Sequence, residues 1–157
     1  MTESMNDEQF LVFAMKGDMD AVRLVKAIVQ VAGVWDDLID KDKPVSDEDI
    51  NTMMWNALVA IPTNPFYTKV GALLQPLFQV GILNWHLSNE MRKEPGRSRE
   101  IAHVARYSAG DVALYMMALI GGVEWVRAHG AQMKLRMQRE DFRRYDSEQE
   151  AANEKST

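Results

Sequence analysis

DMDAVRLVKAIVQVAGVWDDLIDKDKP, residues 18–44, is the stretch whose reading decides the fold. Val22, Val25, Val29, Ala32 and Ile39 recur at steps of three and four, which places them on one face of a helix and not on one face of a strand. Asp18 stands where a carboxylate accepts the free amide hydrogens of a first turn. Pro44 disfavours helical backbone in the residue before it, so KDKP stops the run near Asp40. The spacing predicts a helix over 18–40. No stretch of the chain alternates cleanly like a half-buried strand, so the expected class is all-α.

The same period continues on both sides. NDEQFLVFAMK predicts a short helix ending at Gly17. Ser46 opens a capping-box-like S-D-E-D, and Ile50, Met53, Met54, Ala57, Leu58 and Ile61 form one stripe of a helix over 47–60. IPTNPFY is a rigid connector with two prolines. A helix over 66–92 follows, bent near Pro76 because an internal proline removes a backbone bond. EPGRS is the clearest linker, and a long helix over 99–128 comes after it, with Gly121-Gly122 or Gly130 as points of bending. The expectation is a single bundle of about five helices over 1–145 and a polar, acidic tail over 146–157.

A chain of 157 residues, 46% hydrophobic, is large enough for one buried core. Having no cysteine, it has no disulfides and no thiolate metal sites. The N-terminal MTESMNDEQF lacks the basic segment of a secretory signal, and VALYMMALIGGV is too short for a membrane span. A net charge of −5 argues against nucleic acid as a partner. The basic run Arg127, Lys134, Arg136, Arg139, Arg143 and Arg144 reads as a solvated helix. The helix near 112–123 is apolar on almost every side, which calls for a homodimer to cover it.

Helical geometry picks out the polar residues that face inward. Asp36 continues the Val22–Ala32 face and Asp40 lies one turn further, while Asp37 projects with Arg23, Lys26 and Gln30 toward solvent. Asn84 and Ser88 interrupt an apolar seam of Leu77, Val80, Leu87 and Met91. Asp111 is the only charged residue between Arg106 and Glu124 and is expected to be partly buried. Asp36, Asp40 and Asp111 are hard oxygen ligands suited to magnesium, with Asn84, Ser88 and Arg106 placed to bind a phosphorylated ligand. The structural alternatives are a salt bridge from Asp36 and Asp40 to Arg106 or Lys43, and ordinary buried hydrogen bonds at Asn84, Ser88 and Asp111.

Three resemblances bear on these residues. DDLID resembles the DDxxD motif of class I isoprenoid synthases, which implies that Asp36 and Asp40 hold magnesium against a diphosphate. Asn84 and Ser88 match the first two positions of that family's second motif, and Arg92 stands at the third, where the family has glutamate. GDVALYMMAL is similar to the second metal-binding helix of the all-α nucleotide pyrophosphohydrolases, which implies a ligand role for Asp111. Ser108 stands where that family has its partner glutamate. WDDLIDKDKPV, NPFY and NWHLSNE together resemble a group of small all-α proteins of tailed bacteriophages. The expected function is then a phage-type accessory protein that sequesters a phosphorylated small molecule or nucleotide in an interhelical pocket. The alternatives are a magnesium-dependent hydrolase or transferase acting on diphosphates, and a non-catalytic virion or host-interaction protein. A host protein is a candidate partner. The expected location is the host-cell cytoplasm or the virion.

Overall fold

The structure, a computed structural model, describes residues 4–41, 43–138 and 140–155; of Asn153 and Lys155 only the backbone is described. Among these residues every regular element is helical: α1 Asp7–Ala14, α2 Met19–Asp40, α3 Asp47–Trp55, α4 Ile61–Thr63, α5 Pro65–Met91, α6 Arg97–Ala105, α7 Ala109–Met137 and α8 Phe142–Lys155. The expected all-α class holds. Arg139 of the basic run lies outside the described residues.

The caps form as the sequence dictates. Asp18 accepts from the amides of Asp20 and Ala21, and Ser46 and Asp49 make a reciprocal capping box. Asn64 caps α5 through the amides of Phe66 and Tyr67, and its own amide donates to the Asp20 carbonyl at 2.9 Å. That buried side chain therefore fixes the start of α5 against the start of α2. Between α3 and α4 the chain widens into a π-helical turn, Asn56–Ala60, so the expected 47–60 helix runs on to Thr63 with an irregular middle.

The core joins the start of α2 to α1, α5 and α7. Phe10, Ala14, Met15, Ala21, Val22, Leu24, Val25, Leu74, Val112, Ala113, Met116, Met117 and Met133 are among its covered side chains. Full burial along α2 stops at Val25, and beyond it the helix is only half-covered, with Ile39 exposed. Ile39 therefore does not share the inner face expected of it.

Two expected helices differ in outline. The 99–128 helix is two, because a tight turn at Tyr107–Gly110 separates α6 from α7. The acidic tail is not a tail: the boundary expected at 145 falls inside α8, where Tyr145 is buried and Asp146 pairs with Arg99. In α7, Val112, Ala113, Met116 and Met117 are buried while Tyr115, Leu119 and Val123 are exposed, so the chain itself covers only part of this apolar helix. Among the described residues it is also the one helix that is long and apolar enough, by length and composition, to cross a membrane.

α7 breaks at Gly122, whose φ of 79° and ψ of 176° belong to a region open essentially to glycine alone. The break turns Trp125 onto α1, where its indole donates to the Ala14 carbonyl at 2.9 Å and stacks near Phe13. Gly122→Ala is expected to cost about 1–3 kcal/mol through backbone strain. Urea unfolding of the variant beside the parent checks this, and an unchanged midpoint would refute it.

Candidate functional site: an aspartate–arginine cluster between three helices

The C-terminal turn of α2 carries Asp36, Asp37 and Asp40 at the negative end of the helix dipole, where carboxylates are unfavourable without cations. Two arginines supply them. Arg92 caps the end of α5, and its Nη1 and Nη2 donate to the two oxygens of Asp40 at 2.8 and 2.9 Å, the paired geometry that suits a planar guanidinium. Arg106 closes α6, and its Nη2 donates to Asp40 Oδ2 and to Asp36 Oδ1, each at 2.5 Å. Its Nη1 donates to Asn89 Oδ1 at 3.1 Å. The indole of Trp85 donates to Asp36 Oδ1 at 2.5 Å, and Trp35 lies tilted against Trp85 with ring centroids 4.1 Å apart. The side chains of Asp40 and Arg106 keep only 10% and 9% of their exposure, so this is an ion-pair network largely out of water.

The two aspartates titrate in opposite directions. Burial pushes Asp36 above its ordinary value, and its share of Arg106 together with the Trp85 hydrogen bond does not reverse that. Burial acts on Asp40 in the same sense, but the hydrogen bonds and charges of Arg92 and Arg106 overcome it and hold the carboxyl below its ordinary value. Burial also works against the charge on Arg106, and the two aspartates outweigh it and raise its pKa.

Of the residues expected to form a site, Asp36, Asp40 and Arg106 meet directly. Asp37 does not face solvent as expected; it is half-buried, with Lys43 Nζ 3.6 Å away. Ser88 is fully buried and its hydroxyl donates to the Trp85 carbonyl at 2.7 Å, the ordinary hydrogen bond weighed for it. Asn84 is half-buried on the same helix. Asp111 is exposed in the first turn of α7 and pairs with Lys134 at 2.6 Å, because the turn at Tyr107–Gly110 carries it off the line of α6. It is not the partly buried residue expected. The seam assigned to α5 is also rotated: Phe66, Leu74, Trp85 and Ser88 are its buried residues, whereas Val80 and Leu87 are exposed. The buried face lies about one residue, or ~100°, from the expected one.

Sequence reasoning missed two buried partners next door. On α6, Arg99 and His103 are buried while Ile101 and Val104 are exposed, so this helix is turned inside out. Arg99 Nη1 donates to Asp146 Oδ1 at 2.6 Å and its Nε donates to the Arg92 carbonyl at 3.1 Å. His103 Nε2 is 3.1 Å from the Glu140 carbonyl, and Gln138 Nε2 is 3.0 Å from its Nδ1, a pairing that suits the Nε2-protonated tautomer. The signal was present as Arg99, His103 and Arg106 at steps of four and three, a polar stripe at the spacing normally used by apolar residues.

As a magnesium site the donor set fits poorly. Both oxygens of Asp40 and the Oδ1 of Asp36 point at guanidinium and indole donors, and Asp111 stands elsewhere. Arg92, at which the likeness to the isoprenoid synthase motif departs, is the residue that grips Asp40. Among the described residues no group of three or more His, Asp or Glu side chains gathers in a way that would hold a metal ion. No family model, curated protein or solved structure matches the chain.

Proposed function

We propose that the chain is a non-catalytic interaction protein, in which the aspartate–arginine cluster fixes the packing of α2, α5 and α6 and the exposed apolar helix faces receive a partner. The observation that carries this reading is the engagement of Asp36 and Asp40 by Arg92 and Arg106, which neutralises two negative charges with two positive ones. A cluster of that kind specifies which helix ends meet. The likeness to tailed-phage proteins extends the proposal to a virion or host-protein setting, in the host cytoplasm or the particle.

A second reading, the sequestered phosphorylated small molecule or nucleotide with magnesium, is favoured by one observation. Tyr145 Oη is buried without a well-formed hydrogen bond among the described residues, and Arg106 lies near enough to act on it as a donor and Arg92 as a charge. Two cations beside a hydroxyl so loosely engaged form a setting in which a water or a ligand oxygen is stabilised. The two readings separate by thermal melting with magnesium and a nucleotide panel. The interaction reading expects no ligand-dependent rise for the parent chain or for Asp36→Asn. A rise that Asp36→Asn abolishes would replace it with the ligand-binding reading.

A further inference from the structure

α5 presents to solvent a stripe that its own chain leaves uncovered. Leu73, Val80, Leu83 and Leu87 are each more than half exposed, and Pro76 lies exposed among them. Their spacing is three, four, three and four, the heptad seam by which one helix packs lengthwise on another. From Val70 to Asn89 the helix carries no Asp, Glu, Lys or Arg. Lys69 and Glu90 bracket the stripe at the next positions of the same repeat, and both are exposed.

The geometry points to a second copy of this chain as the occupant, its α5 lying antiparallel across this one about a two-fold axis near Val80–Ile82. This inference specifies a partner for the interaction reading above. Charge complementarity selects the arrangement. An antiparallel pairing sets the apolar stripe on itself and brings Lys69 of one copy against Glu90 or Glu94 of the other, whereas a parallel one sets Lys69 on Lys69. Glu90 also holds Lys93 of its own chain at 2.6 Å, an exposed pair that a neighbouring lysine extends. The surface area agrees. The chain exposes 9749 Å², against about 8,000 Å² for a folded monomer of this mass. The excess is ample for the ~800 Å² per partner of a stable interface. A bilayer surface is the lesser occupant, because a helix that lies on one flanks its apolar face with lysine and arginine, and α5 has none along the stripe.

Sedimentation equilibrium of the full chain is the test. The expected mass is that of a dimer at about 100 µM, where an association of micromolar Kd is nearly complete. Val80→Glu sets two like charges near the axis and is expected to give a monomer with unchanged helicity, since Val80 is half exposed and outside the buried core in one copy. Lys69→Glu is expected to weaken the dimer at least tenfold, and Lys69→Glu combined with Glu90→Lys to restore most of it. A parent chain that is monomeric, a dimer indifferent to Val80→Glu, or a charge swap that rescues nothing would each overturn the proposal. So would flotation of a monomeric chain with anionic vesicles, which assigns the stripe to a membrane. If the chain is monomeric yet magnesium and nucleotide leave its melting unmoved, this inference fails and the interaction reading stands.

Discussion

Asp40→Ala is expected to destabilise the fold by about 3–5 kcal/mol, because it strips two largely buried guanidiniums of the carboxylate they share. In a chain of this size that lowers the melting temperature by about 10 °C. Asp40 accepts both arms of Arg92 and one from Arg106, and of the two arginines Asp36 reaches only Arg106, beside the Trp85 indole. Asp36→Ala is therefore expected to cost clearly less, since Asp36 is about a third exposed and folding already disfavours its charge. A double-mutant cycle between Asp40→Ala and Arg92→Ala is expected to show a coupling of about 1–3 kcal/mol. A loss under about 1 kcal/mol for Asp40→Ala would mean that the ion pairs only decorate the surface.

The pH dependence follows from the opposed titrations. Asp40 lies below its ordinary value, so its contribution is complete above that value and is lost as pH falls through its lowered folded one. Asp36 lies above its ordinary value, so its charge is a penalty at neutral pH that protonation relieves as pH falls toward the ordinary range. Melting of the parent compared with Asp36→Asn is then expected to converge on acidification through the raised Asp36 value, before the loss carried by Asp40 sets in. A constant offset between the two down to acid unfolding would contradict this.

The fold was legible where propensity and periodicity agree. Asp18, the Val22–Val25–Val29 face and KDKP set both ends of α2, and its pitch turns Asp36 and Asp40 toward the arginines, although the same pitch sets Asp37 toward solvent, where the structure has it half-buried. α5 was placed correctly along the chain but rotated wrongly around its axis. With no charged residue from Val70 to Asn89 there is no polar face to orient it, and two apolar stripes compete. Val80 and Leu87, expected on the core side, lie in the exposed stripe, while Leu77 packs against the core. Arg106 is legible as a basic partner for the aspartates even though the sequence sets it inside one 99–128 helix, and the structure puts it at the end of α6. Arg92 is not, because its meaning depends on which way α5 is turned. Asp111 was misplaced for another reason: no proline marks the turn at Tyr107–Gly110, and i+3 hydrogen bonds form there without a distinctive sequence.

Arg99 supplies a test in which removing more side chains is expected to restore stability. Its side chain keeps 1% of its exposure, and its charge is met by Asp146, with Glu150 3.8 Å away, both on α8. Asp146 is about a third exposed and Glu150 about two-thirds, so water reaches both without the arginine, whereas the only carboxylates that meet the arginine's charge among the described residues are these two on α8. Asp146→Ala alone is expected to cost about 1–2 kcal/mol, with Glu150 moving in as a substitute acceptor. Asp146→Ala with Glu150→Ala leaves the guanidinium buried with only the Arg92 carbonyl, and a loss of about 3–5 kcal/mol is expected. Adding Arg99→Met to that pair removes the stranded charge while filling its space with an apolar chain. The triple variant is therefore expected to melt higher than the double, as seen by circular dichroism at neutral pH. If it melts lower, Arg99 contributes through packing or through its bond to the end of α5, and α8 is not an electrostatic latch. The ordering matters because the segment reads in sequence as a free acidic tail, and the buried arginine on α6 gives those acids an electrostatic reason to be docked beside the packing of Phe142 and Tyr145 on His103.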